Sequence, residues 1–567
     1  MDTGLPASGA EWVALGERHL AARQVVEAAA CYERAVQLEP NAWNYRARLG
    51  RLHMATRRFD AAESELRQAC VLKPDLPDLF TLLAYVLREQ NKAEAAIAVL
   101  ERALEIDPRH MHAAIAAALM LPPIYSDGDD LRRWRERFAS GLARLRATIE
   151  TAVVDPQSVL DLEWTNFLLS YQGQNDLALQ EGYSGFIAGL LGVAVPQLQA
   201  PVARTREHGG KIRVGFISSD FRISTVGDYF LRWITDLPRD RFHVAAFHTG
   251  HLIDEGTRAF QLGSDSFAQL PGRVDDIART VRDSNLDIAV ILDVGMSAKS
   301  VLLSNLRLAR SQCAAWGHPV TTGSEFMDYF ISCGDMETGD ARTHYSETLV
   351  CLPGIGVRYR PPDAHAATRA QIGLPADRPI YLCPQSLCKI HPDNDALFIE
   401  LVERDHEALI VFFEGQASGQ TLAFATRLER GLRRRNVPPR QQFKFLPRVS
   451  RGDFLGVMKV SDAMLDTLHW SGGNTALDAL AAGLPVVTLE GRFMRGRQTA
   501  AMLRILEIEE LIAGDQEEYV TLALRVGNDK AYRAELSARI RGGSSKLFDR
   551  EEPVTALARA FEEIAGR

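Results

Sequence analysis

Hydrophobic and small residues in the first hundred positions recur with a period of 34. Small residues in the repeating columns let paired helices approach closely, and large residues fill the gaps between layers. A proline closes each period, where it ends the second helix of a pair. The pattern predicts three helical hairpins over residues 8–108, stacked as an α-solenoid. The columns in register are Leu15, Leu49 and Leu83; Gly16, Gly50 and Ala84; Ala28, Ala62 and Ala96; Tyr32, Leu66 and Leu100; Ala35, Ala69 and Ala103; and Pro40, Pro74 and Pro108.

These columns resemble the tetratricopeptide repeat, and we assign three copies to domain 1–108. Such arrays leave a concave groove that commonly holds an extended peptide or another protein. We therefore expect the repeats to recruit a protein partner. The alternative is a structural cap or a dimerisation element with an empty groove.

Apolar residues at helical spacing continue to about Val195 and predict a helical connector over residues 109–210. Within it, Asp127-Gly128-Asp129 superficially matches an Asp-x-Asp metal motif. The run lies in a polar loop before a basic stretch, so we interpret it as the start of a helix rather than a metal site.

From Lys211 onward, short β-branched runs alternate with helical patterns, which is typical of buried parallel strands joined by crossover helices. A seam with consecutive prolines near residue 361 separates two halves, 211–365 and 366–567, each of a size suited to one doubly wound, Rossmann-like domain. Neither half contains the dinucleotide fingerprint G-x-G-x-x-G. Facing domains of this kind form a ligand cleft at the carboxyl ends of their strands. The predicted strands are Ile212–Ser218, His243–His248, Ile288–Asp293, Gln312–Trp316, Tyr329–Ser332, Ile380–Pro384, Ala408–Phe413, Phe443–Leu446, Ala463–Asp466 and Pro485–Leu489.

Composition narrows the class of protein further. The 567 residues carry a net charge of −8, which argues against a nucleic-acid or anionic-membrane binder. The chain has seven cysteines, and none are spaced as CxxC. This argues against a disulfide scaffold and a structural zinc site and favours a reducing compartment. No secretory signal and no run of about 20 apolar residues is visible, so we expect a cytoplasmic protein without a membrane segment.

The segment Ser471–Asp478 carries the clearest chemical pattern. It follows the predicted strand Ala463–Asp466, and its two glycines, Gly472 and Gly473, give a ligand close access to the backbone. Asn474 or Thr475 can cap a helix whose N-terminal N–H groups favour an anion, and Asp478 can turn toward ribose hydroxyls. An ordinary strand–loop–helix join is the alternative interpretation of the same residues.

This segment, with several others in the same order along the chain, resembles the O-linked N-acetylglucosamine transferase/SPINDLY family, glycosyltransferase family 41. Members of that family also carry N-terminal tetratricopeptide repeats, so the resemblance covers nearly the whole chain. It implies two Rossmann-like domains in the GT-B arrangement. The segments that carry it are Arg213–Phe221, Trp316–Gly323, Phe326–Tyr329, His344–Glu347, Leu387–Pro392, Leu446–Arg451, Leu465–Pro485 and Gly491–Arg497.

The resemblance implies an inverting, metal-independent transfer of a sugar to protein Ser or Thr. Lys389 would contact the diphosphate and offset the charge on the leaving group, in place of a metal. A solvated surface charge is the alternative reading of this lysine. The other residues implied at the nucleotide-sugar site are Gln385, Arg451, Phe454, Gly472, Gly473, Asn474, Thr475, Asp478 and Arg497. Among them Phe454 could stack on the base, Asp478 would bind ribose and Arg497 would close over the donor.

The catalytic base is the point at which the chain departs from the family. The loop after the first strand, where the family often has a histidine, reads Phe221–Tyr229 and offers Asp228 instead. Asp228 could accept a proton or hold an acceptor amide, and helix capping is the competing role. His318 is a cleft imidazole suited to proton transfer if it is accessible, or else a structural residue. The loop after Asp293 also lacks a histidine.

The leading hypothesis is therefore a protein O-glycosyltransferase whose repeats recruit the acceptor. UDP-N-acetylglucosamine is the donor by resemblance, with CMP- or GDP-sugars as alternatives, and no cofactor is expected beyond this co-substrate. A bacterial flagellin or another surface protein is a candidate acceptor. The competing hypothesis is a non-catalytic repeat scaffold with a degenerate transferase domain. An enzyme acting on lipids is disfavoured by the peptide-type repeats.

Overall fold

A computed structural model describes residues 6–149, 155–203, 210–362, 366–438 and 441–566. The boundary predicted at residue 365 lies outside these ranges. The helices are α1 Gly9–Ala21, α2 Val25–Leu38, α3 Trp43–Ala55, α4 Phe59–Leu72, α5 Pro77–Glu89, α6 Ala93–Ile106, α7 Met111–Leu119, α8 Gly128–Ile149, α9 Pro156–Leu160, α10 Leu177–Ala194, α11 Thr225–Thr235, α12 Glu255–Gly263, α13 Val274–Asp283, α14 Ala298–Leu303, α15 Arg369–Ile372, α16 Asn394–Arg404, α17 Ser418–Arg434, α18 Arg451–Val460, α19 Asn474–Ala482, α20 Gln498–Ile505, α21 Gln516–Asn528, α22 Lys530–Gly542, α23 Ser544–Leu547 and α24 Glu552–Gly566. The strands are β1 Ile212–Ser218, β2 Phe242–His248, β3 Ser266–Gln269, β4 Ile288–Ile291, β5 Ser311–Ala315, β6 Tyr329–Cys333, β7 Thr348–Leu352, β8 Ile380–Leu382, β9 Leu409–Phe413, β10 Phe443–Leu446, β11 Ala463–Leu465, β12 Val486–Leu489 and β13 Ile512–Ala513.

The chain divides into two compact units. The first comprises residues up to 126 together with 132–141 and 414–426, and the second contains 127–131, 142–413 and the residues from 427 onward.

In the first unit, the predicted three hairpins are confirmed as the pairs α1 with α2, α3 with α4 and α5 with α6. A side-chain carbon placed on Gly16 would lie 2.6 Å from the ring of Tyr32, and one on Gly50 would lie 2.8 Å from Leu66. The small and large columns of the repeat therefore face each other inside each hairpin, and a side chain at either glycine would displace its large partner.

In the second unit, the first sheet has seven parallel strands in the order β3-β2-β1-β4-β5-β6-β7. The second sheet has six parallel strands in the order β10-β9-β8-β11-β12-β13. Both orders reverse next to their first strands, β1 and β8, so each sheet is doubly wound. Ligands of such sheets bind where the order reverses, outside the carboxyl ends of the strands. The predicted fold class is thereby confirmed.

Three strands have no counterpart among the predictions. They are β3, β7 and the two-residue β13, each at an edge of its sheet. Their side chains are partly exposed, as in the pattern of β3, where none of the four residues is buried. An edge strand lacks the continuous apolar run by which buried parallel strands are recognised.

Helix α24, which the sequence analysis placed in the second domain, packs instead against the first sheet. It contacts α11, β4 and β7. Its Phe561 ring lies 6.2 Å from Phe216 and 6.4 Å from Phe242. At its end, the carbonyl of Ala565 accepts a hydrogen bond from Arg310. The amphipathic pattern of this helix identifies a buried face but does not tell which sheet covers it.

The connector is helical as expected, from α7 to α10. Helix α8 begins at the Asp127-Gly128-Asp129 run, where the N–H of Asp130 donates to the Asp127 carboxylate at 2.9 Å. This contact is the helix-start signal that the sequence indicated.

Candidate functional site

A cavity of about 350 Å³ opens between the carboxyl ends of the two sheets in the second unit, a size within the range of small-molecule sites. Eight of the predicted site residues line it: Gln385, Lys389, Arg451, Phe454, Gly473, Asn474, Thr475 and Asp478. The other lining residues are Thr225, Tyr229, Trp316, Gly317, Pro319, Pro384, Ser386, Trp470 and Gln498. The two Rossmann-like lobes, one built around each sheet, therefore contribute residues to one site.

Lys389 ends a short 3₁₀ helix after β8, and its ammonium lies among aromatic rings. The Nζ atom is 5.2 Å from the centre of the Trp470 ring and 5.8 Å from that of Tyr171, within cation–π range. Among the described residues, no carboxylate lies within 4.0 Å of this ammonium. Burial lowers the pKa of Lys389. The ammonium is thus held in the cavity without an anionic partner.

The loop after β11 is shaped by the buried carboxylate of Asp466. This carboxylate accepts hydrogen bonds from the Gly472 N–H at 2.6 Å, the Ser471 hydroxyl at 2.7 Å and the Thr488 hydroxyl at 2.7 Å. Burial raises the pKa of Asp466, and these donors oppose the rise. Gly472 therefore fixes the turn through its N–H and supports the wall of the cavity from behind.

Helix α19 begins at Asn474, and its cap differs from the sequence prediction. Gly473 is the N-cap, and no side chain caps the helix, so Asn474 and Thr475 are its first two residues rather than its cap. A side-chain carbon on Gly473 would lie 2.6 Å from the Gln498 side-chain oxygen and 2.7 Å from the hydroxyl of Tyr229, so any larger residue would have to displace these two groups. The N–H groups of the first helical turn lack a side-chain acceptor and can bind an anion in the cavity.

Asp478 is fully buried and already bound within the protein. Its two oxygens accept a bidentate pair from Arg451, at 2.5 and 2.6 Å, and a hydrogen bond from the Asn474 amide at 3.2 Å. Tyr359 in turn donates to the Asn474 side-chain oxygen at 2.7 Å. The pKa of Asp478 is raised by burial and held back by Arg451. The carboxylate predicted for ribose is therefore occupied by Arg451, which a ligand would share or displace.

Of the three other residues predicted to bind the nucleotide sugar, two line the cavity and one, Arg497, does not. Gln385 is buried and donates to the carbonyl of Trp470 at 3.2 Å, while Phe454 packs on Phe413 at 5.2 Å and exposes part of its ring to the cavity. Arg497 pairs with Glu490 at 2.9 Å and is not among the cavity-lining residues of the described chain. Its predicted closure over a donor needs that ion pair to open.

His318 is not accessible, and accessibility was the condition for a proton-transfer role. The ring is 3% exposed, stacked on Phe167 at 5.3 Å and 6.1 Å from Trp470. Burial, with the nearby charges of Arg495 and Lys389, lowers the pKa of His318 to about 3. The imidazole is therefore neutral and a weak base at neutral pH. This favours a structural role for His318 over proton transfer.

Asp228 lies on α11, whose N-cap is Ser224, so the capping role considered for Asp228 belongs to another residue. The side chain is exposed, yet crowding by protein atoms raises the pKa of Asp228 to about 6. Asp478 adds to this rise and Arg451 opposes it. A carboxylate with this pKa is matched to proton transfer near neutral pH. Asp228 is not among the residues that line the cavity, but Thr225 and Tyr229 of the same helix are.

Both parts of the chain are similar to known protein families. Residues 358–557 match glycosyl transferase family 41, and residues 13–77 and 77–110 match tetratricopeptide repeats. The chain carries a family 41 glycosyltransferase domain. The recognition made on sequence is thereby confirmed, and the domain includes the loop after β8, the loop after β11 and helix α19.

Relatives of the family 41 domain are named for different sugars. The chain is 28% identical over 202 residues to a UDP-N-acetylglucosamine–peptide N-acetylglucosaminyltransferase of Caenorhabditis elegans, covering 35% of this chain and 17% of that one. It is 27% identical over 284 residues to a UDP-glucose:protein N-beta-glucosyltransferase of Actinobacillus pleuropneumoniae, covering 48% and 44%. A probable SPINDLY transferase of Solanum lycopersicum is 23% identical over 348 residues, covering 59% and 36%. The chain thus spans less than half the length of each of these relatives.

The fold itself has a solved counterpart. A mutant O-GlcNAc transferase from Thermobaculum terrenum superposes with a TM-score of 0.72 at 24% identity, covering 99% of this chain and 98% of that one. This likeness confirms the repeat array followed by two Rossmann-like lobes in the GT-B arrangement. None of the described helices combines the length and apolar character that a bilayer crossing requires.

Sequence reasoning missed the aromatic surroundings of Lys389. Tyr171 belongs to the 3₁₀ helix Phe167–Gln172 of the connector, and its ring meets Trp470 edge-on at 4.5 Å. Trp470 itself was within the recognised segment, but its side chain had been given no role. Tyr171 carried no signal, because a tyrosine at helical spacing in a connector is normally a packing residue.

Proposed function

We propose that this chain is a protein O-glycosyltransferase that binds a nucleotide sugar in the cavity and transfers the sugar to a Ser or Thr hydroxyl. The observation that carries the proposal is the convergence of two anion-binding features, the Lys389 ammonium and the uncapped start of α19, on one cavity. A diphosphate fits this pair because it needs both charge and directed N–H donors.

The reaction that the site supports is a displacement at the anomeric carbon of the sugar. The acceptor oxygen forms a bond to that carbon while the bond to the diphosphate oxygen breaks with inversion. The leaving nucleoside diphosphate gains negative charge, which Lys389 and the N–H groups of α19 stabilise without a metal ion. The acceptor proton passes to a base, and Asp228, with a pKa of about 6, is the candidate we favour over His318.

The first test is a donor panel of UDP-N-acetylglucosamine, UDP-glucose, GDP-fucose and a CMP-sugar, read by thermal shift. A nucleotide that binds the folded chain raises its melting temperature. We take UDP-N-acetylglucosamine as the donor by resemblance. If none of the four raises the melting temperature, the transferase proposal fails.

The second test is Lys389→Ala, with Lys459→Ala as the control, because Lys459 is an exposed lysine of the same lobe. Loss of one group that stabilises developing charge costs about 100- to 1,000-fold in kcat. We expect that loss for Lys389→Ala and unchanged turnover for Lys459→Ala. At a temperature well below the melting temperature of the chelator-treated chain, we expect the same kcat with and without a chelator. Full turnover by Lys389→Ala would remove this lysine from the mechanism.

The repeats recruit the acceptor in this proposal, and a flagellin or another bacterial surface protein is our candidate, modified in the cytoplasm. Mass spectrometry of a modified acceptor, with fragmentation that keeps the sugar attached, distinguishes Ser and Thr from Asn. Sugar on Asn would instead follow the relative named as an N-glucosyltransferase.

A non-catalytic scaffold is the second candidate function. It is favoured by the engagement of Asp478 with Arg451, which leaves no unoccupied carboxylate for ribose at this position. A scaffold would bind a protein partner through the repeats with no donor-dependent shift in melting temperature and no transfer.

A further inference from the structure

Three side chains that the transferase chemistry does not use meet beside the cavity: His391, Asp393 and His469. Their ligand-type atoms all lie within 4.8 Å of one another. The Asp393 carboxylate is 2.8 Å from Nε2 of His469 and 3.3 Å from Nδ1 of His391. The two rings meet edge-on with centres 4.4 Å apart. The group combines residues from two separate loops, one after β8 and one after β11.

Asp393 is turned toward the imidazoles instead of toward its own helix. It is the N-cap residue of α16, where an aspartate normally accepts a hydrogen bond from the first turn, yet its side chain makes no capping bond. His469 has a left-handed backbone, with φ of +68°, a conformation uncommon for residues other than glycine. The arrangement that brings the three side chains together therefore has an aspartate that does not cap its helix and a histidine in a left-handed backbone conformation.

The hydrogen bonds of the cluster identify its ligand atoms. The backbone N–H of Asp393 donates to Nδ1 of His391 at 3.1 Å, so this nitrogen is unprotonated, and an ion bound there would replace that N–H as the partner of its lone pair. A carboxylate oxygen therefore faces a second acceptor atom at 3.3 Å. Ligand atoms bound to one tetrahedral Zn²⁺ at 2.0–2.1 Å stand about 3.3 Å apart. The 3.3 Å separation between Asp393 and His391 meets that requirement, and the 2.8 Å contact between Asp393 and His469 would widen by about 0.5 Å around an ion.

We propose that His391, Asp393 and His469 form a binding site for one divalent transition-metal ion, with Zn²⁺ as the expected occupant. Two imidazoles and one carboxylate are ligands that such ions favour, and solvent can supply the fourth position because His469 and Asp393 are partly exposed. The ion would link the loop that carries Lys389 to the loop that carries Trp470. It stabilises those loops and takes no part in the displacement at the sugar.

The test uses the full chain without an affinity tag, stripped with EDTA and titrated with Zn²⁺ by calorimetry and with Co²⁺ by visible absorption. We expect one ion per chain, a Co²⁺ spectrum typical of tetrahedral coordination, and a rise in melting temperature that EDTA reverses. His469→Asn keeps a residue that accepts a left-handed backbone but cannot reach the ion. It should weaken binding by more than about 100-fold, the upper range for losing a supporting partner of a metal ligand.

Two further variants make the outcome decisive. Asp393→Asn should weaken binding as His469→Asn does, whereas His406→Gln, an exposed histidine of the same lobe, should leave binding unchanged. The proposal is overturned if the wild-type chain shows no saturable binding, or if His469→Asn and Asp393→Asn bind as tightly as wild type. The titration contains no sugar donor, so its result is independent of the transferase proposal.

Discussion

Removing the guanidinium of Arg495 should destabilise the second unit strongly. Arg495 donates to the Ser170 carbonyl at 3.0 Å, the Gln174 carbonyl at 2.6 Å and the Asp176 carboxylate at 3.0 Å. The side chains of Arg495 and Asp176 are 5% and 0% exposed. Arg495→Met would remove this cation from the buried Asp176 carboxylate, and removing one partner of a buried ion pair costs about 3–5 kcal/mol. The connector segment that carries Tyr171 would also lose the two hydrogen bonds that its carbonyls accept from Arg495.

Urea unfolding monitored by near-UV circular dichroism measures this cost. Arg504→Met is the matched control, because Arg504 pairs with Glu490 where the side chains are 39% and 24% exposed, and such pairs contribute about 0–1 kcal/mol. The double variant Asp176→Asn/Arg495→Met removes both charges and should regain a large part of the loss. If Arg495→Met costs no more than Arg504→Met, the reasoning from burial is refuted.

Two more predictions concern the pH profile and helix packing. If Asp228 is the base, kcat should rise with pH through about 6 as its carboxyl loses its proton, and Asp228→Asn should remove that rise; an unchanged profile would exclude it. In thermal unfolding, Gly141→Ala should cost about 1–3 kcal/mol, because its new carbon would lie 2.2 Å from a carbonyl oxygen of α7. The new carbon of Gly185→Ala in α10 meets no atom within 4 Å, so this substitution should stabilise the protein by up to about 1 kcal/mol. If Gly185→Ala lowered the free energy of unfolding more than Gly141→Ala did, the argument from packing space would be contradicted.

Local patterns in the sequence predicted much of the fold. The 34-residue columns located the hairpins because each column meets its partner inside one repeat, as Gly50 meets Leu66. Buried parallel strands were located within one or two residues, since a run such as Ile288–Ile291 is apolar throughout. Three of the four edge strands, β3, β7 and β13, were missed because they lack a continuous buried apolar run, whereas the edge strand β10 is apolar enough to be predicted.

Contacts between distant parts of the chain could not be read from local patterns. Tyr171 and Trp470 are almost 300 positions apart, and nothing in either local sequence indicates that they meet. The low pKa of His318 likewise depends on other segments, through burial against residues such as Phe167 and through the charge of Arg495. A motif can identify residues of a site, while their protonation and their existing partners depend on tertiary packing.

The return of α24 to the first sheet bears on how the protein is made. Phe561 covers Phe216 and Phe242 of strands β1 and β2, more than 300 residues earlier in the chain. During translation, the first lobe must wait with part of its hydrophobic surface uncovered until the second lobe has been synthesised. A stop codon that removes α24 would spare every residue of the cavity and would still yield a nascent chain prone to aggregation.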